Sequence, residues 1–301
     1  TAAGQQDVFN YYYQRATAPE APVFPLPRRR PLDEAATVTE LAQIEAEAAK
    51  VYAVYWATEQ ADPTRLIEGW LDNHLFKATD QWYGNVRLVS YATPRSKTGL
   101  DFSPVDYHLG EQIKLTGYAL SNSEITPGDI LQVALTWVTG SSLPENYTVF
   151  VQLLDPANHL VGQRDAPPLP PTTEWPANEP VIDQHGILVE PGTPPGQHRL
   201  IVGLYNSQTG QRLPVSAGKT VSGDFIELAE VEVVRPAQPL PPEAFQMQTS
   251  LNAPLGEVTL RGYDLYKLGQ RSSPETPLHP GDALQLVAYW QVNQPTSGLE
   301  D

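Results

Sequence analysis

A mixed, mostly β chain is what the sequence predicts: an α/β layered unit over residues 1–100, an antiparallel β-sandwich over 109–234, a Pro-rich linker over 235–248 and the first half of a second β-sandwich over 249–301. Three observations lead there. A strand pair occurs twice. The 30 prolines and 21 glycines suit a loop-rich β chain better than a helical one. The first hundred residues alternate helical with strand periodicity, the mark of layered α/β units.

The repeat is explicit. Ile113, Leu115 and Gly117 alternate with Lys114, Thr116 and Tyr118, and later Val258, Leu260 and Gly262 alternate with Thr259, Arg261 and Tyr263. Such alternation predicts a strand buried on one face. A Pro-Gly-Asp turn follows each, Pro127-Gly128-Asp129 and Pro280-Gly281-Asp282, and launches a second strand. That strand aligns Leu131, Val133, Leu135 and Trp137 in the first copy and Leu284, Leu286, Ala288 and Trp290 in the second. Both tryptophans are expected in a core. Gly117 and Gly262 lie 145 residues apart and Gly128 and Gly281 lie 153 apart, so the second copy carries an eight-residue insertion between its strands. Loops accept such insertions.

In chain order, GQQDVFNYYYQ predicts a short helix and APVFPLPRRRP an extended Pro-rich stretch. Thr37-Val38-Thr39-Glu40 predicts a capping box that opens a helix to about Lys50, and Val51–Trp56 a strand. Asp62-Pro63 predicts an N-cap, with Leu66, Ile67, Trp70, Leu71 and Leu75 as the buried stripe. GNVRLVSYATP closes the unit as a strand. Residues 93–108 read as a polar connection. After the repeat strands, YTVFVQLLD, LVGQRD, VIDQHGILV, HRLIVGLYN, QRLPV and DFIELAEVEVV predict the remaining strands of a two-sheet sandwich. Asn158 stands in the Asp155-Pro156-Ala157 turn, where a left-handed residue is expected.

Composition narrows the function classes. With 19 basic and 35 acidic residues, net −16, the chain is a poor binder of nucleic acid. Lacking cysteine, it has no disulfide, zinc-thiolate site or thiol nucleophile. No apolar run reaches the roughly 18 residues of a membrane span. Thr1 follows no Met and opens no signal pattern, so it reads as a cut point in a longer chain.

The stretches YTVFVQLLDPANHLVGQRDAPP and PGQHRLIVGLYNSQTGQRLPV, led by GY…PGD…LTW, resemble an immunoglobulin-like sandwich at the C-terminal, extracytoplasmic end of Chloroflexi-type membrane glycosyltransferases of family 39, relatives of protein O-mannosyltransferases. FNYYYQ, VYAVYW and DPTRLIEGWLDNHLFKATDQWYGNVRLVSYA are similar to the segment that follows the last membrane spans in those proteins. The resemblance implies an extracytoplasmic location, tethered to spans upstream of Thr1. It also implies that the chemistry, acidic residues acting on a lipid-phosphate sugar donor, lies upstream, so no catalytic residue carries over.

Candidate sites are few. The six histidines have no metal-ligand spacing. Asp165, Glu174 and Asp183 come nearest to calcium ligands without forming a calcium-loop pattern. No metal, cofactor or nucleophile motif is assigned. Sugar rings stack on exposed aromatics, which makes Trp175, in a Pro-rich loop, and Trp82 and Tyr83 the carbohydrate-binding candidates. For Trp175 the alternative is a lid folded over the sandwich end. Three functions remain open: a non-catalytic accessory region that positions an acceptor or binds glycan weakly, a secreted carbohydrate-binding protein, and a structural or adhesive surface module. The incomplete second sandwich is expected to self-associate.

Overall fold

The computed structural model describes residues 6–13, 21–94, 100–217, 220–238, 240–245, 247–267, 270–271 and 277–293. The ends of the predicted units, 1–5 and 294–301, lie outside them. The chain is mostly β, built of antiparallel sheets.

After a short helix α1 (Gln6–Tyr13) come α2 (Glu34–Glu47), β1 (Lys50–Tyr55), α3 (Thr58–Ala61), α4 (Leu66–His74), β2 (Phe76–Tyr83) and β3 (Val86–Ala92). The three strands form one antiparallel sheet ordered β1-β3-β2. Leu41 and Ile44 of α2 and Ile67 and Leu71 of α4 bury against Val89 and Tyr91 of β3. Strand β2, which the sequence pattern does not predict, includes Trp82 and Tyr83. The two residues end the first arm of a hairpin, turned by Gly84 at φ 61°. A two-residue loop needs such a positive φ.

Both predicted helix starts move. The cap of α2 is Asp33, whose carboxylate accepts from Ala36 N at 3.1 Å, while Thr37 is buried inside the helix. Glu40 pairs with Arg28, whose side chain stays largely exposed. Asp62 does cap α4, accepting from the amides of Leu66 and Ile67 at 2.8 and 2.9 Å, but the helix begins only at Leu66, past the Pro63 turn.

The first sandwich begins at β4 (Ser103–Leu109), inside the stretch predicted to be a connection. Then follow β5 (Ile113–Leu120), β6 (Glu124–Ile125), β7 (Ile130–Thr139), β8 (Tyr147–Leu154), β9 (Leu160–Ala166), β10 (Val181–Leu188), β11 (Gly196–Asn206), β12 (Val215–Ala217), β13 (Thr220–Gly223) and β14 (Ile226–Val233). One sheet runs β10-β7-β5-β4-β12-β13 and the other β6-β14-β11-β8-β9. Their facing residues form a single core, with Leu115, Leu131, Val133 and Trp137 of the first sheet against Val149, Val151, Leu200 and Val202 of the second. Asn158 adopts the expected left-handed conformation, φ 68°, and Asp155 Oδ1 fixes that turn by accepting from Ala157 N and His159 N at 2.8 and 2.7 Å.

The second copy comprises β15 (Thr249–Leu255), β16 (Val258–Lys267), β17 (Gln270–Arg271) and β18 (Leu284–Val292). It reproduces the first copy residue by residue. Leu115 pairs with Trp137 and Gly117 with Thr136 across a bulge; Leu260 pairs with Trp290 and Gly262 with Tyr289 across the same bulge. The turn repeats as well. Gly128 and Gly281 have φ of 85° and 96°, and each Asp carboxylate bonds back three residues, from Thr126 Oγ1 at 2.5 Å and from His279 N at 2.6 Å. One expectation fails. Trp137 is fully buried, but Trp290 is 52% exposed, because among the described residues no second sheet covers its face.

The outer face of the β7–β5 sheet also works. Ala119, Ile130 and Ala134 bury against Phe76, Ala78 and Ala92 of the N-terminal sheet, which therefore lies between helices and sandwich. Lys50 Nζ reaches Asp129 Oδ1 at 2.6 Å and Gly128 O at 3.0 Å, so the repeated turn also anchors the N-terminal unit. Gln132 Nε2 donates to Thr93 O at 2.7 Å.

Candidate functional site

The three aromatic candidates part company. Trp175 is 2% exposed; its ring stacks on Trp137 with centroids 6.2 Å apart, and Nε1 donates to Pro170 O at 2.9 Å. The short helical turn Thr172–Glu174 delivers it there, held by Thr172 Oγ1, which donates to Glu145 O and accepts from Tyr147 N, both at 3.0 Å. Trp175 is the lid of the sandwich end and has no free ring face for a sugar. Trp82 and Tyr83 are exposed, 66% and 55%, but as neighbours on one strand they point to opposite faces of it. The phenol of Tyr83 donates to Gln81 Oε1 at 2.7 Å.

Trp82 belongs to a site in which an exposed aromatic ring meets a fixed charge. Across the sheet, Arg87 on the central strand faces Trp82 on one side and Tyr55 on the other. Its guanidinium carbon lies 5.8 Å from the Trp82 ring centroid and 5.7 Å from that of Tyr55, cation–π distances. Two carboxylates pin it: Asp80 accepts from Nε and Nη2 at 2.6 and 2.5 Å, and Glu68 of α4 accepts from Nη1 at 2.6 Å. Lys77 joins the network at 3.1 Å from Asp72, 3.5 Å from Asp80 and 3.7 Å from Glu68. Asp72 in turn accepts from the Tyr91 phenol at 2.7 Å. Burial raises the pKa of both Tyr55 and Tyr91, so these phenols stay neutral.

Arg164, from edge strand β9 of the sandwich, feels the charge of these carboxylates. Its Nε is buried without a hydrogen-bond partner, and burial lowers its pKa while Asp72, Asp183 and Asp80 act to raise it. Behind it, inside the sandwich, Asp183 Oδ2 lies 2.6 Å from His185 Nε2 and accepts a 3.4 Å bond from Trp137 Nε1. Asp183 is thus committed to core partners, and Asp165 and Glu174 are exposed on a strand and on the short helical turn. Among the described residues no group of three or more His, Cys, Asp or Glu is placed to hold a metal ion. No helix of the described residues is long and apolar enough to cross a membrane.

The Arg87 network was not singled out in the sequence. Glu68 and Asp72 stand four apart on α4, one helical face, and Asp80 faces Arg87's strand across a two-residue turn, but only the fold brings helix and hairpin together.

The network carries a pH signature. Hydrogen bonds from Arg87 hold the Asp80 carboxyl below its usual value; partial burial opposes this, and the charges of Arg87 and Lys77 reinforce it. A carboxyl depressed in the folded state contributes stability that is full above its unfolded pKa, about 3.9, and is lost as pH falls through the lower folded value. Melting curves between about pH 7 and 3 should show Asp80→Asn less stable than wild type at neutral pH, the gap closing at the acid end. A gap of constant size would show that the Asp80 charge is not coupled to folding.

No protein-family model matches the chain, and no curated protein matches it in sequence.

Proposed function

We propose that this chain is a non-catalytic extracytoplasmic accessory region of a glycosyltransferase-like membrane protein, which positions an acceptor by binding glycan weakly. In this reading an α/β layered unit carries the binding surface next to the upstream spans, and immunoglobulin-like sandwiches follow it in the chain and support it from the far side. The observation that carries the reading is Trp82. Its indole is exposed, while Arg87 beside it is fixed by Asp80 and Glu68. An indole held on a rigid hairpin loses little freedom when a sugar C–H face stacks on it, and a pinned guanidinium offers donors to ring hydroxyls. The resemblance of the Asp155–Asn158 and Asn206–Gly210 hairpins to family-39 C-terminal modules supplies the membrane context. A secreted carbohydrate-binding protein would use the same Trp82 surface without the membrane context.

The structural or adhesive reading draws on the joints. The β2 backbone lies so close to β10 that a Cβ on Gly186 would stand 2.8 Å from Phe76 O. At the other end, a Cβ on Gly192 would stand 3.1 Å from the ring of Phe245, which packs edge-on to Tyr289 at 5.6 Å. Two tight joints make a stiff spacer.

Titration with a panel of neutral and acidic oligosaccharides, followed by tryptophan fluorescence, distinguishes them. Dissociation constants near 1 mM are expected, with Trp82→Ala weakening binding by about tenfold or more and leaving the fold intact. No response from wild type across the panel would rule out glycan binding and leave the spacer role.

A further inference from the structure

The second repeat copy presents an apolar sheet face whose counterpart in the first copy is covered. Leu251, Leu255, Leu284, Leu286, Trp290 and Val292 are 38–62% exposed. Their registers match Val105, Leu109, Leu131, Val133, Trp137 and Thr139, which are buried in the first sandwich or packed against its core. In the first copy a second sheet covers that face. Among the described residues nothing covers it in the second.

We propose that the face is covered by the same face of a second copy of this chain, the two layers built on β15, β16 and β18 closing into one sandwich about a two-fold axis. An apolar sheet face complements itself, and aligned packing of two such layers is the ordinary way a β-sandwich is made. The size is adequate. Strand β18 has nine residues, so the layer measures roughly 30 Å by 14 Å from the standard strand rise and spacing. As rugged accessible surface this approaches the roughly 600–800 Å² per partner that stable interfaces bury.

Charge does not oppose the contact locally, although the whole chain is acidic at −16. Neither β15 (TSLNAPL) nor β18 (LQLVAYWQV) contains a charged residue, and β18 has no proline. Exposed strands that remain single usually carry such residues to prevent pairing. The acidic side chain of Asp264 is turned to the opposite face, where it accepts from Gln248 N at 2.6 Å and from the Tyr289 phenol at 2.8 Å.

Sedimentation velocity and light scattering on the full chain test the proposal. Wild type is expected at twice the 33.1 kDa chain mass, with a dimer dissociation constant below about 10 μM. Leu286→Lys and, separately, Leu284→Lys should each raise that constant about 100-fold or more. Leu160→Lys, at an equally apolar exposed position on the first sandwich, should leave it unchanged. Three results would overturn the proposal: a monomer at about 100 μM, which would assign the face to an occupant other than a second copy; a dimer unmoved by both lysines, which would place self-association elsewhere; or open-ended polymers.

Discussion

Replacing Trp137 with alanine is expected to destabilise the protein by about 3–5 kcal/mol, and the same change at Trp290 by less than about 1 kcal/mol. The two residues hold the same repeat position and the same strand register, opposite Leu115 and Leu260. They differ in what lies above them. Trp137 is fully buried, carries the Trp175 ring and donates to Asp183, so its loss leaves a cavity, an unsupported lid and a buried carboxylate short of one donor. Trp290 is half exposed, and in the monomer its truncation removes contacts on one side only. Urea unfolding in the Leu286→Lys background, where association no longer contributes, measures both. Equal losses would mean that the Trp290 face is covered within the monomer.

Gly186→Val is expected to loosen the N-terminal unit from the sandwich and to cost about 1–3 kcal/mol or more. The added carbon would stand 2.8 Å from Phe76 O, 3.0 Å from Lys77 O and 3.0 Å from Ile130 Cγ2. Two of those neighbours are backbone of β2, a strand held by its hairpin, so relief requires moving the whole sheet. Doing so would expose Phe76, Ala78 and Ala92 together with Ala119 and Ala134. It would also draw Lys50 from Asp129. Hydrogen exchange should report faster exchange at Phe76–Ala78 and Ala119–Leu120, while the sandwich core at Val149–Leu153 stays protected. Unchanged exchange at both would show that the two sheets are not in contact.

How much of this was legible depends on how local the signal is. Strand alternation is local, so the repeat, its registers and most sandwich strands could be read from the chain. Strand β2 was hidden because FKATDQWY buries only its first half and then turns solvent-exposed, which leaves no alternation to find. Strand β4 was hidden by Pro104 and the bulge between Pro104 and Tyr107. Periodicity also names a face without saying what covers it, which is why Trp290 looked like core. For Trp175 the sequence left two fates open, and the decisive contact, with Trp137, spans 38 positions that no local pattern connects. The Arg87 site is the least legible part. Its members come from a helix and a hairpin, and each alone reads as an ordinary surface charge.

The central claim is that the hairpin tryptophan, and not the loop tryptophan, meets the glycan. Fluorine NMR of protein labelled with 5-fluorotryptophan tests it most directly, since the chain has only six tryptophans and a Trp82→Phe variant assigns the decisive resonance. On addition of oligosaccharide the Trp82 signal should shift and the Trp175 signal should stay in place. A Trp175 shift with Trp82 unmoved, or no shift at either, would contradict the account.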